Sequence, residues 1–196
     1  MNNYEYIVAT LPVLKQGAAK GDIPSPDEII GEIRGLCPGK DVPTVDFLLQ
    51  GFDPGSLDEG FYTRALSHPD RFIRGWFDFD LMVRNRTAAF VNRALGRPEE
   101  MDVISLEDPD PDEAAEVDAL LSGSDLLERE RALDALMWEK ASSLTALEVL
   151  SLDVVLGYVA QLKITDRWLR LDPATGRDMF RRLVEGLRSA DKDKDN

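Results

Sequence analysis

Residues 69–96 read PDRFIRGWFDFDLMVRNRTAAFVNRALG, and this stretch decides the fold. Its large apolar side chains recur three and four residues apart, the spacing that places them on one face of an α-helix. They form two neighbouring stripes, Phe72, Trp76, Phe79, Val83 and Phe90 on one, and Ile73, Phe77, Leu81, Val91 and Leu95 on the other. A face this wide needs neighbours on two sides. At about 1.5 Å rise per residue, the stretch predicts a helix roughly 40 Å long that serves as the spine of the domain.

Further helices are predicted on the N-terminal side of this spine. Ser25 and Glu28 have the spacing of a capping box, with Pro26 at the first helical position. A short helix is expected over residues 44–50, where the apolar side chains again share a face. Ser56 begins a second capping box, which predicts another short helix leading to the spine.

The C-terminal half also reads as helical. Residues 112–121 carry aligned apolar side chains, and the stretch Ser122-Gly123-Ser124-Asp125 after them is expected to supply a stop and the cap of the next helix. That helix is expected to continue, with a kink at Ser142, as far as Arg170. A last amphipathic helix is predicted after Asp172, with Phe180, Leu183, Val184 and Leu187 facing inward.

Together these patterns predict an all-α fold, a multi-helix bundle of two packed helical lobes around a long central helix. The N-terminal lobe spans 1–97, and its opening segment 4–14 is expected to be helical although its tyrosines also favour a strand. An acidic connection with prolines, 98–111, leads to the C-terminal lobe, 112–190, and residues 191–196 form a frayed tail. The two lobes are expected to form one compact unit.

Composition restricts the partners and the compartment. The chain has 37 acidic and 23 basic residues and a net charge of −14, so its field repels phosphate backbones and nucleic acid is not an expected partner. The single cysteine, Cys37, cannot form an internal disulfide, which favours a reducing compartment. The start of the chain lacks a signal peptide, and the apolar stretch 144–164 carries four polar interruptions. We therefore expect a cytoplasmic protein without direct membrane insertion.

The sequence contains no recognisable catalytic, metal or cofactor motif. His68 and Cys37 are too few and too far apart for a catalytic zinc site, and the acidic cluster 107–113 lacks the glycine and the terminal glutamate of a calcium loop. No phosphate-binding glycine pattern occurs. Asp80 is placed one helical turn before Arg84 and is expected to pair with it. The chain is therefore expected to be neither an enzyme nor a cofactor-binding protein.

The triplet Arg84-Asn85-Arg86 is the one concentrated polar interruption of the spine. It is compatible with a solvent-facing stripe of local ion pairs, and also with a buried polar network or a contact to a partner.

Three stretches resemble a bacterial family encoded alongside A/V-type ATPase subunits and related to the C subunit, called d in eukaryotes. The first is the opening YEYIVATLP of residues 4–12, and the second is 81–92. The third is Trp138-Glu139 together with 160–180, which includes the sequence RWLRLD. The family resemblance implies an all-helical adaptor between the membrane rotor ring and the central stalk. This chain departs from full C subunits, which are built from three similar helical units and are longer.

The resemblance makes its motif positions the candidate contacts with ATPase stalk and rotor subunits. These positions are Tyr4, Tyr6, Arg84, Asn85, Arg167 and Trp168. In this interpretation the protein is a non-catalytic coupling or assembly subunit in ion transport, peripheral to the inner membrane through the ATPase complex. The same residues are equally compatible with a purely structural role, because aromatic side chains at helical spacing commonly form a core.

Two other hypotheses remain open. A free-standing helical adaptor or regulator would use its acidic surface to bind a basic protein, and its binding would be sensitive to salt. An enzyme with a carboxylate-based site between the lobes would require converging Asp and Glu side chains or a bound metal.

Overall fold

The computed structural model describes residues 4–106 and 109–171, and within these ranges the chain is all α-helical, as predicted. The eight helices of these ranges are α1 (Tyr4–Thr10), α2 (Pro26–Leu36), α3 (Val42–Gln50), α4 (Glu59–Leu66), α5 (Arg71–Ala94), α6 (Pro111–Leu121), α7 (Leu126–Thr145) and α8 (Leu152–Arg170). None of them is long and apolar enough to cross a membrane. The predicted helix after Asp172 and the tail 191–196 lie outside the described residues.

Aspartates cap most of the longer helices. Asp70 accepts the backbone N–H of Ile73 at 3.1 Å and starts α5, the predicted spine, which is 24 residues long. Asp125 accepts the N–H of Glu128 at 2.9 Å at the start of α7, so the predicted cap within residues 122–125 is Asp125. Such side chains satisfy backbone donors that have no partner in the first helical turn.

Two capping predictions are wrong in detail. Ser25 precedes α2, but its side chain makes no capping hydrogen bond. Ser56 does not start α4, because it belongs to a 3₁₀ turn in which its hydroxyl donates to Asp53 at 3.2 Å. Asp58 caps α4 instead and accepts the N–H of Phe61 at 2.7 Å.

The prediction of one kinked helix from Leu126 to Arg170 is also wrong. The chain leaves helical geometry after Thr145 and re-enters it at Leu152, which separates α7 from α8. Near this break, three hydroxyl groups donate to backbone carbonyls of the preceding helical turn, those of Ser142, Ser143 and Thr145. Hydrogen bonds of this type slightly destabilise a helix. The chain turns back here, and α7 and α8 form an extensively packed helix pair.

The main core is aromatic and extends over most of the described chain. Phe77 packs edge-on against Phe61 with ring centroids 4.9 Å apart, and Phe61 also meets Tyr62 edge-on at 5.6 Å. Helix α5 contacts α4, α6, α7 and α8, whereas α1, α2 and α3 pack against α8. The spine therefore shares its central role with α8, and the main core includes residues from both sides of the 98–111 connection. A smaller cluster joins α5, α6 and α7.

Two asparagines of α5 hold the connection against the helix. Asn85 donates its side-chain amide to the carbonyl of Ile104 at 2.8 Å and accepts the N–H of Ile104 at 3.0 Å. Asn92 is buried and donates to the carbonyl of Met101 at 2.6 Å. These backbone N–H and C=O groups lie in a non-helical segment and have no partners in regular secondary structure. The asparagine side chains supply their hydrogen bonds instead.

Candidate functional site

Helices α7 and α8 enclose a cleft of about 600 Å³ whose walls are mainly apolar. We call it the tryptophan cleft; its lining is Gln16, Gly17, Ala18, Ala19, Arg131, Asp134, Ala135, Trp138, Ile164, Thr165 and Trp168. Its volume is in the range of roughly 300–1,000 Å³ that is common for ligand sites. The cleft brings together Trp138 and Trp168, which are 30 positions apart in the sequence.

A short polar network sets the position of the Trp168 ring. The indole Nε1 donates to Asp134 Oδ2 at 2.6 Å, which links α8 to α7. The guanidinium groups of Arg131 and Arg167 lie over the same ring, 5.7 Å and 5.5 Å from its centroid. Burial raises the pKa of Asp134 above its ordinary value, although Arg167 and the bond from Trp168 act against it. The indole is thus held through its N–H, with two guanidinium groups close to its ring.

The rim of the cleft comes from the segment between α1 and α2. Tyr158 on α8 donates its hydroxyl to the carbonyl of Pro12 at 3.0 Å, which anchors the start of this segment. The backbone N–H of Ala19 donates to Asp22 Oδ2 at 2.8 Å and closes the turn. Gly17 has φ of 77°, a left-handed conformation that other residues adopt with strain. The rim is therefore an ordered turn over the helix pair.

A second cleft of about 580 Å³ lies between α5, α7 and α8 and is charged. We call it the charged cleft; its ionisable lining residues are Asp80, Glu130, Asp134, Lys163, Asp166, Arg167 and Arg170. Arg167 lies 2.6 Å from Glu130 and 3.4 Å from Asp134. Asp166 pairs with Lys163 at 3.1 Å and with Arg170 at 2.7 Å. The carboxylates of this cleft therefore already have partners within the described chain.

The pKa values of Asp80 and Asp166 shift in opposite directions. Burial raises the pKa of Asp80 to about 6, although the Tyr62 hydroxyl, at 2.6 Å, and Arg84 favour its ionised form. Burial also disfavours the ionised Asp166, but the hydrogen bonds from Arg170 and Lys163 outweigh it and lower the pKa. Within the described residues no group of three His, Cys, Asp or Glu side chains could hold a metal ion.

The turn between α7 and α8 exposes large apolar side chains. We call residues 146–151 the hairpin tip. Leu147 is 92% exposed, Val149 73% and Leu150 45%. Glu148, between them, pairs with Arg71 at 2.6 Å, and Arg71 also pairs with Asp153 at 2.7 Å. The tip is thus tied to the start of α5 while its apolar side chains face solvent.

The two tyrosines predicted as contacts lie in different environments. Tyr4 is 5% exposed and donates its hydroxyl to Asp41 Oδ2 at 2.5 Å, so in this conformation it offers almost no surface to a partner. Burial and the Asp41 carboxylate raise its pKa. Tyr6 is 55% exposed on the opposite face of α1 and is available for contact.

The residues of the Arg84-Asn85-Arg86 triplet do not share one environment. One fits the predicted polar network, and the others fit the predicted solvent-facing stripe. Asn85 belongs to a half-buried polar contact with the connection, whereas Arg86 forms a partly exposed ion pair with Asp118 at 3.3 Å. Arg84 is exposed and its charge favours the ionised form of Asp80, but the partner of the Asp80 carboxylate is the Tyr62 hydroxyl, and the predicted ion pair with Arg84 is not among the ion pairs of the described residues. His68 accepts the backbone N–H of Asp70 at 3.1 Å, a local structural role.

Arg167 and Trp168 lie together at the wall between the two clefts. Sequence reasoning did not identify Arg131 and Asp134 as their neighbours, because a spacing of 34 residues between Asp134 and Trp168 carries no periodic signal. The hairpin tip was missed for a different reason. Its leucines were assigned to the interior of a continuous helix, where they would have been buried.

A family model described as a protein of unknown function (DUF2764) matches residues 111–190. The match includes α6, α7, α8 and the hairpin tip, and its last part lies beyond the described residues. The C-terminal part of the chain is therefore similar to this family. No curated protein matches the chain, and no solved structure matches it.

Proposed function

We propose that this protein is a non-catalytic coupling or assembly subunit of a bacterial A/V-type ATPase, linking the central stalk to the membrane rotor. It would act in the cytoplasm, at the inner membrane only through that complex. Its partners would be the stalk and rotor subunits, and it would contribute contacts rather than chemistry.

The observation that carries this proposal is that an exposed apolar turn, the hairpin tip, and an apolar cleft, the tryptophan cleft, lie at separated places on one helix pair. The hairpin tip follows the end of α7 at Thr145, whereas Asp134, nearer the start of α7, lines the tryptophan cleft. Eleven residues separate Asp134 from Thr145 on α7, which is roughly 16 Å along the helix axis. Two surfaces at this separation can contact two different subunits at once, as a coupling subunit requires.

The helix pair is built closely enough to transmit a displacement. Gly157 on α8 has no side chain, and a Cβ at this position would lie 2.8 Å from Thr145 Cγ2 and 3.4 Å from the Ala141 carbonyl. The glycine therefore lets α8 approach α7 directly. Gln161 adds a hydrogen bond to Ser142 Oγ at 2.8 Å. Packed helices of this kind move as rigid bodies more readily than they bend.

The family resemblance supports the same interpretation from the sequence. Its third stretch supplies Trp138 and Trp168, the two largest side chains that line the tryptophan cleft. Its second stretch supplies Asn85 and Asn92, which hold the connection against α5. The pairing of the carboxylates in the charged cleft favours a binding protein over an enzyme, because general acid-base chemistry needs a carboxyl group that can reach a substrate.

The proposal is tested by affinity purification from the native cell in mild detergent, followed by mass spectrometry. We expect stalk and rotor subunits of an A/V-type ATPase to co-purify stoichiometrically. Replacing Leu147 and Val149 by serine should reduce their recovery, since both side chains are exposed and the fold does not depend on them. Leu95→Ser is the matched control, because Leu95 is 58% exposed at the far end of α5.

Loss of all ATPase subunits from the wild-type sample would refute the proposed role. Retention of another, basic protein in their place would favour the free-standing adaptor, for which the net charge of −14 is the supporting observation. In that case raising the salt concentration should release the partner, because contacts between exposed charges are screened.

A further inference from the structure

We propose that residues 172–190, which we call the C-terminal segment, dock on the charged cleft and cover it with the apolar side chains of their predicted helix. The segment lies outside the described residues, and its place is inferred from its sequence and from the surface that the described chain leaves uncovered. Such docking does not depend on an ATPase role, since it takes place within one chain. While the segment is docked, the charged cleft is closed to other ligands.

The chain leaves α8 at this cleft. Arg170, the last residue of α8, lines the charged cleft together with residues of the preceding two turns. Leu171 already has extended geometry, with φ of −71° and ψ of 109°. Pro173 disfavours helical geometry at Asp172, so the segment takes a new direction beside the cleft and does not prolong α8.

The cleft offers apolar surface that the described chain does not cover. Besides its charged groups, it is lined by large apolar side chains that are only half-buried, those of Phe52, Val83, Met137 and Ile164. They come from the loop after α3 and from α5, α7 and α8, so one docked helix would contact four parts of the fold. An apolar cavity of roughly 150 Å³ holds one benzene ring, and the cleft of about 580 Å³ therefore has room for several apolar side chains.

The C-terminal segment carries a face that suits this surface. Phe180, Leu183, Val184 and Leu187 recur three and four residues apart, which places them on one side of a helix. Most helical stability in proteins comes from packing an amphipathic face, so the segment needs a surface on which to bury these four side chains. The uncovered apolar side chains nearest to the start of the segment along α8 are those of the charged cleft.

The charges of the segment also favour docking on the rest of the chain. Residues 177–188 contain four arginines and two acidic residues, a net charge of +2. Residues 1–171 contain 17 basic and 31 acidic residues, a net charge of −14. The acidic body therefore attracts the segment that follows it.

The family match includes the segment. It begins at Pro111, the first residue of α6, and ends at residue 190, three residues after Leu187. The matched region thus comprises α6, α7, α8 and the C-terminal segment, and α7 and α8 line the charged cleft. This grouping supports a segment that packs with these helices.

Hydrogen exchange of the full-length protein, followed by mass spectrometry, tests the docking. The backbone amides of residues 180–187 should exchange at least about tenfold more slowly in the wild type than in Phe180→Asp, which places a charge on the apolar face. Ser189→Asp is the matched control. It adds the same charge two and a half helical turns later, on the opposite side of the predicted helix, and should leave the exchange unchanged. Equal exchange in the wild type and Phe180→Asp would overturn the proposal.

Two further variants separate the clefts. Thr87 is half-buried and lines the charged cleft, whereas Ala135 is half-buried and lines the tryptophan cleft. We expect Thr87→Arg to accelerate the exchange of residues 180–187 and Ala135→Arg to leave it unchanged. Unchanged exchange of the core amides around Phe61 shows that both variants remain folded.

Three results would contradict docking on the charged cleft. Faster exchange in Ala135→Arg alone would place the segment on the tryptophan cleft. Equal exchange of residues 180–187 in the two variants would show that the charged cleft does not hold the segment. Protection that is lost when the wild type is diluted would assign the segment to a second copy of the chain.

Discussion

Trp76 and Trp168 show how differently two regions of this molecule use the same residue type. Trp76 is 1% exposed and stacks on Phe72, with the planes at 7° and the centroids 6.1 Å apart. Trp168 is half-buried. Its indole N–H donates to Asp134, and two arginine guanidinium groups lie over its ring. The aromatic core around Trp76 is buried and mainly apolar, although Trp76 borders the charged cleft on one side, whereas the seam between α7 and α8 is more polar and half-buried. Stability should depend on the first region and binding on the second.

The largest difference is expected from truncating one aromatic side chain in each region. Phe77→Ala should lower the free energy of unfolding by about 3–5 kcal/mol, because Phe77 is fully buried against Phe61. Trp168→Ala should cost less, about 1–2 kcal/mol, because its ring already borders a cleft. Urea denaturation followed by circular dichroism measures both. Equal losses of unfolding free energy in the two variants would show that both regions contribute to stability in the same way.

A smaller loss is expected from adding one methyl group to the core. Gly51 follows α3, and a Cβ at this position would lie 2.2 Å from Phe77 Cε1 and 3.2 Å from Phe61 Cζ. Gly51→Ala should therefore lower the free energy of unfolding by about 1–3 kcal/mol. Gly39→Ala is the control, because no atom lies within 4 Å of its added Cβ. A melting temperature of Gly51→Ala that equals that of the control would show that the ring can move aside.

The third comparison uses pH. The folded-state pKa of Asp80 is raised to about 6, so ionisation destabilises the fold above pH 6, and this penalty is relieved as the pH falls toward 4. The pKa of Asp166 is lowered, so its stabilising effect is present above its ordinary pKa and is lost only in stronger acid. Asp80→Asn should thus raise stability by roughly 1–2 kcal/mol at pH 7 and by less at pH 5.

Asp166→Asn is the matched variant, and its expected effect on stability has the opposite sign to that of Asp80→Asn. It should lower stability at both pH 7 and pH 5, because the ionised carboxylate accepts from both Arg170 and Lys163. The measurement is the urea midpoint of each variant as a function of pH. Parallel pH profiles for wild type and Asp80→Asn would contradict the raised pKa of Asp80.

The smallest expected effect, about 1 kcal/mol, is that of Asn85→Ala. The change removes both hydrogen bonds to Ile104, but this half-buried backbone can regain water. Hydrogen exchange should show faster exchange of the Ile104 amide and unchanged exchange in the core around Phe77. If Asn85→Ala leaves the exchange of Ile104 unchanged but abolishes partner recovery, Asn85 is an interface residue rather than a structural one.

Much of the helical framework could be predicted because it follows from local rules. The spacing of Trp76, Phe77 and their neighbours predicted α5 to within two residues at each end, and the stretch 122–125, predicted to hold the cap of the next helix, contains it as Asp125. The break after Thr145 was not predicted, because apolar periodicity continues through the turn and does not reveal a reversal of direction.

The candidate site was less accessible to sequence reasoning. Arg167 and Trp168 were selected by family resemblance, and both border the clefts. Arg131 and Asp134 have no motif of their own, and only the packing of α7 on α8 brings them to Trp168. Tyr4 illustrates the converse: the resemblance selected it as a contact, and the sequence alone does not show that it is buried, at 5% exposure, rather than exposed like Tyr6.

The two asparagines of α5 give the connection a defined length. Asn85 and Asn92 are seven residues apart on a helix, roughly 10 Å along its axis. Their backbone partners, Ile104 and Met101, are three residues apart, and such a stretch spans at most about 10–11 Å. The two anchors therefore fix the register of this stretch on α5. A part of the connection that resembles a permissive spacer in the sequence thus has a defined place on the helix.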